Sequence, residues 1–164
     1  MEDVAAAAGV ARQTVYAHFP SRQSLLDAVM ARVIGEVATA LGSIDLRMEP
    51  APVALRRWID AAWDLLERFP ILLGPLIVPS GDPEDELRRH APITDGLLTL
   101  VRRGQRTGEF DRRARPGWLA AVTIAIGHAA AAEVVAGRMT TAEGRSAFAT
   151  AVVRVYGAEE GGAG

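Results

Sequence analysis

The sequence predicts an all-α protein: a partial helix-turn-helix head followed by a helical body. Apolar residues recur at intervals of three and four over most of the chain, and no stretch sustains an alternation of β-branched residues. The periodic segments stop at glycines and prolines such as Gly9, Pro70 and Gly108, the residues that end helices.

Taken in order, Glu2–Ala8 and Arg12–Phe19 read as two short helices broken at Gly9. A longer helix follows Ser21, a natural N-cap, and fades towards Gly42, with Leu25, Leu26, Val29, Val33 and Val37 as its apolar stripe. Residues 43–52 contain two prolines and read as a linker. Val53–Phe69 is amphipathic: Leu55, Trp58, Ile59, Ala62, Leu65, Leu66 and Phe69 share one side, and Arg56, Asp60, Asp64 and Glu67 the other. Ile71–Val78 is apolar but holds Gly74 and Pro75, which suits a short or kinked helix. Pro83 can open a helix whose first turn carries Glu84, Asp85 and Glu86, and Pro92 begins or kinks a further piece ending near Thr107. Pro116–Gly137 is apolar almost all round, the pattern of a helix buried on most sides. Thr141–Tyr156 closes the fold, and the tail from Gly157 is expected to fray. Two domains are expected, 1–42 and 43–164.

Composition removes several kinds of function. With no cysteine there is no disulfide, thiolate metal site or cysteine nucleophile. All 18 basic residues are arginine, which excludes a phosphate-cradling GxxxxGK[ST] loop and lysine chemistry. No nucleophile–base pair or metal-ligand spacing stands out, so neither an enzyme nor a cofactor or metal is expected. Asp82, Glu84, Asp85 and Glu86 lack calcium-loop spacing, and His90 and His128 are read as structural. Arg102, Arg103, Arg106, Arg112, Arg113 and Arg115 form a basic run that reads as a solvated loop. Met1 leads into Glu2 and Asp3 rather than a secretory signal. The longest uncharged stretch, Pro116–Ala132, falls just short of the ~18–20 residues a membrane span needs. A cytoplasmic protein without a membrane partner is expected.

The informative string runs from Val4 to Arg22. Two short helices across a tight glycine turn make the helix-turn-helix layout. Val4, Ala8, Val10, Val15 and Phe19 are spaced to pack the pair together and onto Leu25 and Leu26. That leaves Arg12, Gln13, Thr14, Ala17 and His18 outward, a face suited to a DNA major groove: Arg can pair bidentately with guanine and Gln with adenine. Arg22 follows Ser21 at a helix start where a backbone phosphate can dock.

The combination of Gly9, Val10, Thr14, Tyr16, His18, Phe19, Ser21, Leu25 and Leu26 resembles the signature of TetR-type bacterial regulators. The resemblance implies a homodimer that binds double-stranded operator DNA and a small hydrophobic effector, most often as a repressor. It places phosphate contacts on Thr14, Tyr16, His18 and Arg22, and base reading on Arg12, Gln13 and Ala17. It implies that the last two helices build a dimer bundle through Gly127, Ala130, Phe148, Val152 and Tyr156. The effector cavity is expected between the middle helices, lined by Trp63, Leu66, Leu97 and Val122.

Three features depart from that pattern. TetR-type heads carry a further helix before this point, so either the native protein starts upstream or residues 1–20 are poorly ordered. Arg12 and Arg22 are offset by Glu2, Asp3 and Asp27, which is no basic footprint. Ala11 stands where a serine would cap the recognition helix. These departures keep an alternative open, a helical small-molecule-binding dimer that no longer binds DNA.

Overall fold

Each helix starts and stops for a local reason. In the computed structural model the backbone is described over residues 1–73 and 83–158, with every side chain among these except those at 73, 83–90 and 92. The described residues form seven α-helices and one 3-10 turn: α1 (Glu2–Ala8), α2 (Arg12–His18), α3 (Arg22–Gly42), α4 (Ala51–Arg68), the turn Pro70–Leu73, α5 (Pro83–Thr107), α6 (Pro116–Val135) and α7 (Thr141–Val155). Ser21 and Ser24 cap α3 reciprocally, each side chain bonding the other's amide at 3.0 and 3.1 Å. Thr140 and Glu143 do the same for α7. At α4 the prolines of the expected linker begin the helix instead: Pro50 is its N-cap and Pro52 lies in the first turn, where a missing N–H has no partner to lose.

The body is wrapped around α4, which packs against α3, α5 and α7, while α6 packs against α5 and α7. Leu55, Trp58, Ile59 and Trp63 of α4 are all at most 2% exposed. They meet Leu97, Leu100 and Val101 of α5, Leu119 of α6 and Phe148 and Val152 of α7 in one continuous core. Val33, Val37 and Leu41 of α3 belong to the same core, so the far half of the helix drawn into the head is part of the body.

Four expectations need correction. Pro92 does not begin a helix: α5 runs from Pro83 to Thr107, its far half anchored by Leu97, Leu100 and Val101 in the core. Val29 is 37% exposed, and the stripe of α3 is carried on by Leu41. Within residues 1–20, only Ala5 and Val15 are buried, while Val4 and Val10 stay 39% and 43% exposed. Helix α6 is buried along one face only, through Leu119, Ala120, Thr123, Gly127, Ala130 and Ala131. Its other side exposes Trp118 (62%) and Val135 (60%), with Ala121, Ala125, Ala129 and Ala132 between them. By length and composition α6 could cross a membrane, which fits its apolar character on both sides.

The basic run is partly structural. Arg112 donates to the carbonyls of Gln105 and Arg106 at the end of α5, at 2.6 and 3.0 Å. Arg103 reaches the carbonyl of Arg47 at 2.7 Å, tying α5 to the segment before α4. Arg102, Arg106, Arg113 and Arg115 lie on the surface as expected of a solvated loop. The residues Asp82, Glu84, Asp85, Glu86 and His90, and the end of Ile71–Val78, lie outside the described side chains.

Two glycines predict opposite outcomes for one substitution. A Cβ on Gly144 would sit 2.6 Å from Val134 and 2.7 Å from Trp63, whereas one on Gly35 would meet nothing within 4 Å. Gly144→Ala therefore destabilises by about 1–3 kcal/mol through overpacking. Gly35→Ala, in a solvated helix interior, stabilises by about 0.5–1 kcal/mol. Urea unfolding of the two variants checks the opposite signs.

Candidate nucleic-acid interface and internal cavity

The head is assembled around Gly9. Its φ of 66° is left-handed backbone, which suits a residue without Cβ. There the amide of Gly9 bonds the Ala6 carbonyl at 3.2 Å and that of Val10 bonds Ala5 at 3.0 Å, a Schellman closure that turns the chain into α2. Ala11 caps α2 without a side-chain hydrogen bond.

This geometry leaves Arg12, Gln13, Thr14, Tyr16, Ala17 and His18 exposed on α2, and Arg22 exposed at the first turn of α3. Three of the seven have intramolecular company: the His18 ring lies 6.4 Å from that of Phe19, and Arg12 and Tyr16 meet each other. The Arg12 guanidinium pairs with Glu2 of α1 and lies 5.4 Å from the centre of the Tyr16 ring. Tyr16 first, then the Glu2 charge, raise its hold on the proton. The one arginine of α2 is thus paired with a carboxylate of the neighbouring helix.

Inside the body lies a slot with a volume of about 70 Å³. Its walls come from α3 (Met30, Ile34, Val37, Leu41), α4 (Trp58, Ala62, Leu66), α6 (Thr123, Ile124, Gly127, His128), and Leu72, Ile93 and Phe148. The wall is apolar apart from Thr123, His128 and the Trp58 indole N–H. The Thr123 hydroxyl is committed elsewhere: it bonds the Leu119 carbonyl at 2.8 Å and the Tyr156 hydroxyl at 2.9 Å. Wider clefts exist, such as one of about 730 Å³ over Arg102, Gln105, Arg106 and Arg112. That cleft is a shallow charged surface, whereas ligand sites are enclosed and mostly apolar.

Of the four lining residues expected from sequence, Leu66 lies on the cavity. Trp63 lines an adjacent recess that Leu66 also borders. Leu97 is fully buried in the core, and Val122 is half-buried on α6 beside Thr123. The α3 wall was not foreseen because residues 22–42 were placed with the head rather than the body. Its Ile34, Val37 and Leu41, spaced by three and four opposite the small Ala62 and Gly127, are the pattern that marks it.

The five residues expected at a dimer interface face inward instead. Ala130, Phe148, Val152 and Tyr156 are at most 7% exposed within one protomer, and Gly127 is buried against Phe148. The antiparallel α6 and α7 spend those side chains on each other and on α4. The accessible apolar face of α6 is the stripe from Trp118 through Ala121, Ala125, Ala129 and Ala132.

Residues 1–29 match the family model described as bacterial regulatory proteins, tetR family. Over 118 residues the chain is 34% identical to the HTH-type transcriptional repressor LfrR of Mycolicibacterium smegmatis, a match covering 71% of this chain and 59% of that protein. The chain therefore spans less than two thirds of that relative. The crystal structure of LfrR in complex with proflavine superposes with a TM-score of 0.66 at 27% identity, covering 93% of this chain and 82% of that one. A tetR-family structure from Shewanella sp. PV-4 gives the same TM-score at 24% identity, covering 91% and 82%, and shares the fold. Residues 1–29 thus resemble the head of TetR-type regulators, and the all-α architecture is shared with solved members of that family.

The Thr123–Tyr156 pair generates a pH prediction. Burial pushes the Tyr156 phenol up to about 12, against the hydrogen bond shared with Thr123. An unfolded tyrosine titrates near 10, so the folded state holds this proton more tightly. The stability it contributes is complete below pH ~10 and is lost as pH rises through the folded value. Tyr156→Phe flattens that part of the pH–stability curve and costs about 1 kcal/mol at pH 7 through the lost hydrogen bond. Urea denaturation at intervals from pH 7 to 12 measures both.

Proposed function

We propose that this chain, TetR-type in its head and in its fold, is a dimeric transcriptional repressor that a small apolar effector releases from operator DNA. The observation that carries the proposal is that one helix serves both sites. α3 begins at Arg22, directly after the exposed α2, and twelve residues on contributes Ile34, and then Val37 and Leu41, to the cavity wall. A cavity of about 70 Å³ is smaller than the ~150 Å³ that holds a benzene ring. In this reading a larger ligand presses on the walls, and the α3 wall is the one joined to the head.

In this reading Arg12, Gln13 and Ala17 face the major groove, and Thr14, Tyr16, His18 and Arg22 hold phosphates. A second copy covers the α6 stripe around Trp118 and Ala125, which would complete the burial of an otherwise half-exposed apolar helix. The dimer sets its two α2 helices about one DNA turn apart, ~34–36 Å. An effector that prefers the spread conformation weakens DNA binding by the ratio of its two affinities. The repressor name and the proflavine complex of LfrR support repression and small-molecule binding as the family's mode of action.

Two observations favour a second reading, a ligand-binding dimer without DNA affinity: Arg12 pairs with Glu2, and residues 1–30 hold two arginines against three carboxylates. Fluorescence anisotropy on the DNA upstream of its own coding sequence and on a scrambled duplex, near 0.15 M salt, separates the two. The repressor reading predicts specific binding that Tyr16→Ala weakens about tenfold or more. It also predicts that Glu2→Gln, by freeing Arg12, tightens binding about twofold to fivefold. Absence of specific binding by a folded dimer would leave the second reading.

A further inference from the structure

The slot and the recess beside it share one side chain. Leu66 lines the slot of about 70 Å³ and also the recess, which holds about 290 Å³. It is half-buried, packed at the edge of the core. The recess is further bounded by Trp63 and Glu67 of α4, Ala131 and Val134 of α6, and Thr141 of α7. Its floor is apolar and its mouth polar: Trp63 and Ala131 are buried, whereas Glu67 and Thr141 are exposed.

These walls differ in how readily they give. The Trp63 ring is wedged: a Cβ on Gly144 of α7 would lie 2.7 Å from it, and the Phe148 ring is centred 6.1 Å away. Displacing Trp63 therefore disturbs α7. Turning Leu66 between staggered rotamers moves no helix. Neither space alone reaches the ~300–1,000 Å³ of ordinary ligand sites, but joined through the Leu66 position they do. A molecule that enters by the recess and passes Leu66 reaches the slot, whose α3 wall carries Ile34 and Val37.

We propose that slot and recess form one elongated binding site, partitioned by Leu66, for a slender amphiphile. Its apolar chain passes Leu66 into the slot, and its hydrogen-bonding end stays at the exposed mouth beside Thr141 and Glu67. Leaving that end in water avoids the cost of burying it. Leu66 is thus the residue that sets the length of ligand admitted. The proposal rests on the reading of the slot as the effector site and adds an anchor to it. The recess holds the molecule against α4 and α7 while its inner end meets α3.

The probe is 1-decanol, kept below its solubility limit, with the DNA-free protein. Calorimetry is expected to show one molecule per protomer. Intermolecular nuclear Overhauser contacts are expected from its terminal methyl to Ile34 of the slot. The methylene beside its hydroxyl is expected to contact Val134 of the recess. Leu66→Trp blocks the passage and weakens binding about tenfold or more, the loss of two or more buried methylenes at about fourfold each. Thr141→Phe fills the recess from its exposed mouth and weakens binding similarly without touching the slot. If Leu66→Trp does not fold, Thr141→Phe and the wild-type contacts decide. Contacts confined to one of the two spaces, two molecules per protomer, unchanged affinity in the folded variants, or no binding would overturn the proposal. Failure of the repressor reading shows separately: 1-decanol then makes both sets of contacts and leaves operator affinity unchanged.

Discussion

Helix α3 has to satisfy two environments, and the rest of the structure depends on how it does so. At its start, Ser21 and Ser24 fix the point where the chain leaves α2, setting the angle of the exposed head residues to the body. At its end, Val33, Val37 and Leu41 are buried in the body core. The helix is 21 residues long, so about 31 Å at 1.5 Å per residue separates its ends. A packed helix is stiff, and displacement at one end is therefore delivered to the other. The cavity lies along the buried half of this helix, which joins the internal space to the outer face of the head.

The body holds the opposite wall still. α4 is buried through Leu55, Trp58, Ile59 and Trp63, and its outer side is tied to α7 by Arg145, which pairs with Asp64 and, at 3.3 Å, with Glu67. Ion pairs this exposed contribute little energy; their role is to keep α7 in register with α4. At the far end, Gln105 bonds the carbonyls of Asp111 and Ala114, and the Asp111 amide bonds the Tyr156 carbonyl. Against such a frame α3 is the less constrained side of the cavity, since it contacts the body mainly through α5 and α4.

Much of this was legible in the sequence, for identifiable reasons. The helix-turn-helix was readable because Gly9 suits the left-handed turn and Ser21 the helix cap, while Tyr16 and His18 complete the combination that resembles TetR-type heads. α4 was readable because one helix face is apolar and the other charged. Two things were not. The residues Phe148, Val152 and Tyr156 have the same periodicity whether they pack on their own protomer or on a partner, so spacing could not tell inner from outer faces. α6 posed the same difficulty in reverse, since a helix apolar all round gives no sign of which side its own chain covers. The cavity was hidden because a void is defined by the small residues around it. Ala62 and Gly127 look unremarkable until Trp58 and Phe148 are placed beside them.

The central claim is that the cavity and the head are coupled through α3, and filling the cavity from the other side tests it most directly. Ala62 lies on α4, lines the cavity and is far in sequence from every head residue. Ala62→Met occupies the space that an effector would. The account predicts that this variant stays a folded dimer and binds operator DNA at least tenfold more weakly by anisotropy, with no effector present. A folded Ala62→Met dimer with unchanged operator affinity would contradict the coupling, and with it the proposed mechanism of release.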